Sequence, residues 1–395
     1  MEAMPSGRLP GMERSPAAPS CVSPRCVSLL CLAPSLLLAG CAASAPASSI
    51  ASGEPATAVA PEGEPDPAAP GAEARPSDAA PRAIGPYLGQ RARGAPALFA
   101  PGVISRRYAE MNAAFSPDGA ELYFTMKDPA DGSPTIVTTR LVDGSWQPPQ
   151  VAPFSGRYDD VDPMFSPDGT RLYFSSYRPR EPGGPPAGDA DIWYIERRGG
   201  GFGEPVHVGA PVSTPHDDFH ASLTRDGALY YSVWNGQRRT SDVFRARLVA
   251  GAYRVENVGA PVNTESSEYD PFVAPDESYL IFASSRPGGR GDADLYVSFR
   301  ERTRWSEPMN LGEVINSTAR DYCPTVSPDG EYFFFTSKRA GDASEGRPAV
   351  SSVAELTARY DAIENGLSNV YWLRSDFLRD LRPRRDGPAP GRTSR

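Results

Sequence analysis

The sequence of 395 residues predicts an all-β fold, a single β-propeller of five four-stranded blades closed by an N-terminal strand. First, one phrase recurs five times at intervals of about fifty residues, a period typical of propeller blades. Second, the repeats carry short runs rich in aromatic and β-branched residues, which are typical of strands. Third, the last repeat lacks its fourth run, and a matching run precedes the first repeat.

Each repeat contains a tight turn built on an aspartate. In the full pattern, Ser-Pro-Asp-Gly, proline presets φ at the second position of a type I turn and glycine takes the left-handed position. Aspartate is the only residue common to all five turns, and we expect each turn to join the first two strands of a blade. The turns are residues 116–119, 166–169, 224–227, 274–277 and 327–330.

The fourth strand of a blade is announced by an aromatic residue, often followed by a proline. The aromatic residues are Trp146, Phe202, Tyr253 and Trp305. After Trp372 the fifth repeat has no such run, whereas residues 98–104 read like the fourth strands of the other repeats. We therefore expect the segment near 97–104 to pair with the last three strands, which removes the open sheet edges.

The repeats resemble the WD-like, PD-type repeats of bacterial TolB-type propellers over about residues 96 to 380. The last repeat, from Asp321 to Gly330, is also similar to bacterial propeller proteins without an assigned role. The resemblance implies the fold and is weak for function. A resemblance to TolB proteins implies a six-bladed propeller with an additional N-terminal domain, whereas five repeats are visible in this sequence. The resemblance therefore does not imply a Tol-specific role.

Residues 1–40 are expected to be a signal peptide. Arginines precede an apolar stretch, 27–40, that is too short to span a bilayer. It ends in Leu38-Ala39-Gly40-Cys41, which resembles a bacterial lipoprotein signal, in which the cysteine is acylated; an ordinary secretory signal is the alternative. Ala42, rather than aspartate, implies the outer membrane in the familiar sorting pattern. We therefore expect a lipid anchor at Cys41 and a periplasm-facing protein of the outer membrane.

Composition divides the rest of the chain. Residues 41–95 are rich in Ala, Pro, Ser and Glu and predict the lipid anchor followed by a disordered tether. Residues 96–380 are predicted to form the propeller, and residues 381–395 a disordered basic tail.

The net charge of −9 makes nucleic acid an unexpected partner. Cys323 is the single cysteine of the folded part and is expected to be a small buried residue rather than a nucleophile or a metal ligand. Ser352 and Glu355 have capping-box spacing and predict a short helix that runs to Gly366.

An acid stands eight residues before every turn aspartate, and we name these five residues the acid ring: Glu110, Asp160, Asp218, Glu268 and Asp321. The first strand of a propeller blade lines the central channel, so the acids should surround one mouth. Arg178, Arg286 and Arg339 end the second strands on the same face. They can either pair with a neighbouring blade's carboxylate or leave an acidic funnel that binds a cation, a sugar or a basic protein surface.

The predicted ligand- or partner-binding residues are Glu110, Asp160, Asp162, Asp218, Glu268, Asp270, Asp321, Arg178, Arg286 and Arg339. Alternation along an extended segment gives His216, Asp218 and His220 one common side, but loop solvation is the favoured interpretation, and no metal or other cofactor is predicted.

No nucleophile motif of the Gly-x-Ser-x-Gly type is present, and no catalytic residue is predicted. The favoured function is non-catalytic binding of an envelope protein or glycan at the channel mouth. A glycan-processing hydrolase that uses the channel-mouth carboxylates is the alternative.

Overall fold

Five antiparallel sheets, one for each repeat, are formed by the described residues of a computed structural model, 94–128, 132–198, 201–340 and 349–382. The prediction of a five-bladed propeller is confirmed. The signal peptide, Cys41, nearly all of the tether and residues 383–395 of the tail lie outside the described residues. Within the described ranges, no helix has the length and apolar character needed to cross a membrane.

The first three strands of each blade pair in chain order, the outer segments pair with the third strand, and the first strand of each blade is the innermost. The closing strand β1 is Ala97–Leu98. Blade 1 contains β2 (Ala109–Phe115), β3 (Glu121–Lys127), β4 (Pro134–Val142), β5 (Ser145–Trp146) and β6 (Gln150–Val151). Blade 2 contains β7 (Asp160–Phe165), β8 (Arg171–Ser176), β9 (Asp191–Arg198), β10 (Gly201–Phe202) and β11 (Val206–His207). Blade 3 contains β12 (Asp217–Leu223), β13 (Leu229–Asn235), β14 (Thr240–Val249) and β15 (Ala252–Asn257). Blade 4 contains β16 (Glu268–Val273), β17 (Tyr279–Ser284), β18 (Asp294–Glu301), β19 (Arg304–Trp305) and β20 (Met309–Asn310). Blade 5 contains β21 (Asp321–Val326), β22 (Tyr332–Ser337) and β23 (Asn369–Arg374).

The side chains of the turn aspartates accept hydrogen bonds that close the turn, which explains why every repeat has an aspartate at this position. In the first turn the Ser116 hydroxyl donates to Asp118 Oδ1 at 2.5 Å, and the Ala120 backbone N–H donates to the same oxygen at 3.0 Å. The Glu121 N–H then donates to Ser116 Oγ at 2.9 Å. The turns at Asp168 and Asp329 repeat this arrangement. These side chains are therefore committed to backbone geometry.

Proline divides the outer strand in blades 1, 2 and 4. Each of these blades has two short outer segments, and Pro148, Pro205 and Pro308 lie between them. Proline has no N–H to donate to a ladder, so pairing with the third strand is interrupted there. Blade 3 has no proline at this point and keeps one continuous outer strand, β15.

The N-terminal segment closes the ring as expected. Ala97 pairs with Trp372 and Leu98 with Tyr371, so β1 serves as the outer strand of blade 5. Phe99 follows with no exposed surface, and its ring meets those of Phe334 and Trp372 edge-on at 5.1 and 5.6 Å. The core continues as apolar layers between adjacent blades, such as the layer of Tyr123, Phe165, Phe174 and Trp193 between blades 1 and 2.

The insertion in blade 5 contains the expected helix, α1 (Val353–Asp361), which ends before Gly366. Ser352 Oγ accepts from the Glu355 N–H at 3.2 Å, and the Glu355 carboxylate accepts from the Ser351 N–H at 2.7 Å. None of its residues is buried. A second short helix, α2 (Phe377–Leu381), follows β23 and buries Leu378.

Candidate functional site

The acid ring lies at the start of the inner strands, and all five of its side chains are fully buried. In four blades the carboxylate accepts a hydrogen bond from the backbone N–H four residues earlier: Arg106 to Glu110, Thr214 to Asp218, Thr264 to Glu268 and Ser317 to Asp321, at 3.1, 2.7, 2.8 and 2.6 Å. In blade 2 the Ser155 hydroxyl donates to Asp160 at 2.8 Å instead. Each acid therefore fixes the loop that leads into its inner strand.

The three arginines pair with the acid of their own blade. Arg178 Nη2 lies 2.8 Å from Asp160 Oδ1, and the Ser176 hydroxyl donates to the same oxygen at 2.6 Å. Arg178 also donates to the Phe154 carbonyl at 3.0 Å, on the segment that arrives from blade 1. Arg286 with Glu268 and Arg339 with Asp321 form the same ion pair at 3.3 and 2.9 Å, and the Ser284 hydroxyl also donates to Glu268 at 2.7 Å.

The expectation that these arginines reach a neighbouring blade's carboxylate is therefore wrong. The second strand runs antiparallel to the first, so its end delivers the arginine to the acid of the same blade. The link between blades comes from the carbonyl that each arginine also binds, Phe154, Val262 or Ile315.

Blades 1 and 3 lack this ion pair. The register places Met126 opposite Glu110 and Val233 opposite Asp218, where the other blades have serine. Burial raises the pKa of both carboxyls to about 8, although hydrogen bonds from backbone N–H groups act in the opposite direction. In the sequence, the blades that have this ion pair carry Ser-x-Arg at the end of the second strand. Only the arginine of this motif was recognised in the sequence analysis.

A second ring of side chains lies two residues further along each inner strand, and we name it the bulge ring: Asn112, Asp162, His220, Asp270 and Cys323. All five residues are buried and have positive φ, between 46° and 57°. The pairing of each inner strand shifts register at this point, which is a β-bulge. Asn, Asp and His tolerate the left-handed region better than most residues, so their presence here has a conformational reason.

His220 stands between two carboxylates of the bulge ring. Its Nδ1 lies 3.8 Å from an oxygen of Asp162 and 3.8 Å from an oxygen of Asp270, beyond hydrogen-bond length. Cys323 lies beside Asp270, with its thiol donating to Oδ2 at 3.3 Å and its N–H donating to the same oxygen at 3.1 Å. Blades 2, 3, 4 and 5 thus each contribute one side chain to a single cluster.

The pKa values within the cluster reflect burial and mutual charge. Burial raises the pKa of the Asp270 carboxyl, and the nearby Asp162 adds to the effect. Burial alone would lower the pKa of the His220 imidazole, but the charges of Asp270 and Asp162 outweigh it and the net shift is upward. Burial also raises the pKa of the Cys323 thiol well above its ordinary value.

Three residues of the bulge ring, Asp162, Asp270 and Cys323, line a cavity of about 370 Å³ at the channel mouth on the acid-ring face. Its lining also combines four aromatic rings with three further charged side chains: Phe219, Trp234, Tyr269, Tyr322, Lys127, Asp292 and Arg320. Arg320 is held in place, because its Nε donates to the Tyr269 hydroxyl at 2.9 Å and its guanidinium lies over that ring. The size and the mixture of aromatic and polar groups suit a small ligand or a protruding group of a larger one.

The opposite mouth has a cavity of similar size but different chemistry. It measures about 320 Å³ and is lined by prolines of the turns together with phenylalanines of the inner strands. Arg225 and Asp329 are its charged residues.

The predicted binding residues therefore divide into two groups. Asp162 and Asp270 belong to the bulge ring and line the cavity, whereas the acid ring and Arg178 are buried outside its lining, and Arg286 and Arg339 are half-buried. The structure also separates Asp218 from His220, since Asp218 binds Thr214 and His220 faces Asp162 and Asp270. Sequence analysis did not select Trp234, Tyr269 or Arg320, because no motif distinguishes them from other strand and loop residues.

Neither a protein-family model nor a curated protein matches the chain. Among solved structures, one described as a glycoside hydrolase has 10% identity and a TM-score of 0.45, with 74% of this chain and 92% of that chain covered. A thermostable family-43 glycoside hydrolase has 14% identity and a TM-score of 0.40, covering 63% and 86%. A puromycin-hydrolyzing peptidase of Mycobacterium tuberculosis has 16% identity and a TM-score of 0.35, covering 67% and 41%. The chain thus spans less than half of that peptidase. These similarities concern the fold, and no activity is inferred from them.

Proposed function

We propose that this protein is a non-catalytic binding protein of the bacterial envelope, and that it holds a glycan or a protruding segment of an envelope protein at the channel mouth on the acid-ring face. The observation that carries the proposal is the cavity of about 370 Å³ at that mouth. Its aromatic and charged wall stands on rigid strands, the usual arrangement for a preformed ligand site.

The aromatic wall supports a glycan as the small-ligand version of this proposal. Phe219, Trp234 and Tyr269 are half-buried, so each ring keeps a face or edge accessible. Sugar rings present apolar C–H faces and hydroxyl edges, which match aromatic faces and the nearby Arg320 and Asp292. In this proposal the acid ring has a structural role and does not contact the ligand, because its carboxylates hold the strands and have no exposed surface.

A lipid anchor at Cys41 would place this face within reach of envelope components, and the PD-type repeats make a TolB-like lipoprotein the proposed relative. The proposed lipid anchor can be tested with labelled fatty acid in cells that express the full chain. We expect label in the wild type and in Cys31→Ser, and none in Cys41→Ser. Equal label in all three variants would contradict the proposed anchor.

Hydrolysis of a glycan is the second candidate, because two carboxylates of the bulge ring line the same cavity. Asp162 and Asp270 each place an oxygen 3.8 Å from His220 Nδ1, so these oxygens are at most twice that distance apart. Glycosidases use carboxylate pairs separated by roughly 5 to 9.5 Å. Hydrolysis requires both carboxylates to reach the glycan, whereas the binding proposal requires only that the ligand contacts the residues of the cavity wall.

Binding can be tested with the purified full chain on a glycan array and by crosslinking to envelope extracts. We expect Trp234→Ala to weaken binding at least about tenfold, as loss of a central aromatic contact does. Arg225→Ala, on the opposite mouth, is the matched control and should bind like the wild type. Loss of binding in Arg225→Ala alone would place the site on the other face.

Hydrolysis is tested with chromogenic glycosides and the same protein. Turnover that is lost in both Asp162→Asn and Asp270→Asn would replace the binding proposal by the hydrolase. No turnover, together with array binding that depends on Trp234, supports non-catalytic binding.

A further inference from the structure

The cluster at the floor of the cavity contains the donor atoms of a metal site. The Asp162 carboxylate, a His220 ring nitrogen and Cys323 Sγ all lie within 4.8 Å of one another. Asp270 borders this group and is the candidate for a fourth donor, since one of its oxygens is 3.8 Å from His220 Nδ1 and the other is 3.3 Å from Cys323 Sγ. The donors are one nitrogen, one sulfur and two carboxylates, a set that zinc accepts.

The spacing fits a shared ion better than direct hydrogen bonds. Two ligands of one tetrahedral zinc ion lie about 3.3 to 3.8 Å apart, given bond lengths of about 2.0 to 2.3 Å. His220 Nδ1 is at this distance from both carboxylates, which is too far for it to donate to either. Among Asp162, His220 and Cys323 the donors are at most 4.8 Å apart, so a side-chain shift of about 1 Å would bring these three to the same spacing.

His220 supplies an independent observation. Its side chain is 1% exposed, and neither ring nitrogen has a hydrogen-bond partner among the described residues. A buried polar group without a partner is costly to fold, so such groups in native structures call for an explanation. A metal ion bound at Nδ1 would provide that partner.

We propose that Asp162, His220, Asp270 and Cys323 bind one divalent transition-metal ion, with Zn²⁺ as the expected ion. Four protein ligands leave no open position, so the site is structural. Because the ligands come from blades 2, 3, 4 and 5, the ion links four blades across the channel and stabilises the closed ring. Three of its ligands, Asp162, Asp270 and Cys323, line the same cavity as the proposed aromatic ligand contacts, so the ion would adjoin the bound ligand.

The test uses the full-length protein after treatment with a chelator, titrated with Co²⁺ and with Zn²⁺. We expect one ion per chain, a thiolate-to-Co²⁺ charge-transfer absorption, and a rise in melting temperature on adding Zn²⁺. Cys323→Ser should abolish the charge-transfer band. His220→Gln should weaken the affinity more than about tenfold, since even groups that only support a metal ligand are worth about that much.

Two control variants separate this site from other donors in the chain. His216→Gln, in the same segment, and a variant with Cys21, Cys26, Cys31 and Cys41 all changed to serine should bind like the wild type. The proposal is overturned if the wild type binds no ion, or if its Co²⁺ spectrum lacks the thiolate band. Because both results come from the wild type, they hold even if a ligand variant fails to fold.

Discussion

The acid ring and the bulge ring lie two residues apart on the same five inner strands, yet their side chains have different surroundings. Asp160 accepts hydrogen bonds from two serines and an arginine, and every donor belongs to its own blade or to the segment leading into it. Two residues later, Asp162 faces His220 of the next blade across 3.8 Å. The difference teaches that Asp160 supports its own blade, whereas Asp162 faces the next blade and lines the cavity.

A similar contrast exists inside the acid ring. Asp160, Glu268 and Asp321 have an arginine and a serine as partners, and Glu110 and Asp218 have neither. The pKa of both of these carboxyls is about 8. The three paired blades therefore hold buried charges, and the two others favour a neutral acid.

The largest expected effect is loss of an acid-ring ion pair. Arg178→Ala leaves the fully buried Asp160 without its cation, and we expect the free energy of unfolding to fall by about 3 to 5 kcal/mol. Arg304→Ala removes an exposed pair with Glu301 and should change it by no more than about 1 kcal/mol. Denaturant titration of both variants measures the two values. Equal, small losses would mean that the acid ring does not support the blades.

The second effect is a dependence of stability on pH from blades 1 and 3. Glu110 and Asp218 have folded pKa values near 8, above the ordinary value near 4, so the folded state binds protons that the unfolded state releases. Their contribution is complete below about pH 4 and is lost as the pH rises through about 8. We expect Glu110→Gln with Asp218→Asn to remove at least about 1 kcal/mol of the loss in stability between about pH 5 and pH 8. Parallel pH profiles of the wild type and the double variant would refute the assignment.

A smaller effect should follow from building the missing ion pair into blade 3. Val233 lies opposite Asp218, and Asn235 follows where the paired blades have arginine. The double change Val233→Ser with Asn235→Arg should lower the pKa of Asp218 and raise the melting temperature above about pH 8, where an unpaired acid is ionised. The same changes assayed near pH 4, where the carboxyl is protonated, are the control. A stabilisation that does not depend on pH would point to packing rather than charge.

The smallest effect on folding is expected in the bulge ring. Asp162→Asn keeps a residue type that tolerates positive φ and removes one of two carboxylates beside His220. We expect its free energy of unfolding, measured without added metal, to stay within about 1 kcal/mol of the wild type. A loss as large as that of Arg178→Ala would mean that both rings serve folding alone.

The repeated turns were enough to predict five blades, because each turn forces two antiparallel strands and the spacing leaves room for four. The closing strand followed from the missing fourth run of the last repeat, and Phe99 shows how firmly that segment is packed. Asp162 and Asp270 were predicted as binding residues, but their convergence with His220 and Cys323 could not be predicted. A register shift between residues such as Tyr322 and Thr325 breaks the alternation on which strand patterns depend, and it turns Cys323 towards Asp270. The pairing of Arg178 with its own blade required the strand register, which the sequence does not state.

The most direct test of the division between the two rings is the melting temperature of Asp160→Asn and Asp162→Asn, each measured with and without Zn²⁺. We predict that Asp160→Asn melts well below the wild type but is still stabilised by Zn²⁺, because the bulge ring is intact. Asp162→Asn should melt near the metal-free wild type and gain little or nothing from Zn²⁺. The reverse pattern, a Zn²⁺ effect that survives in Asp162→Asn and disappears in Asp160→Asn, would contradict the account.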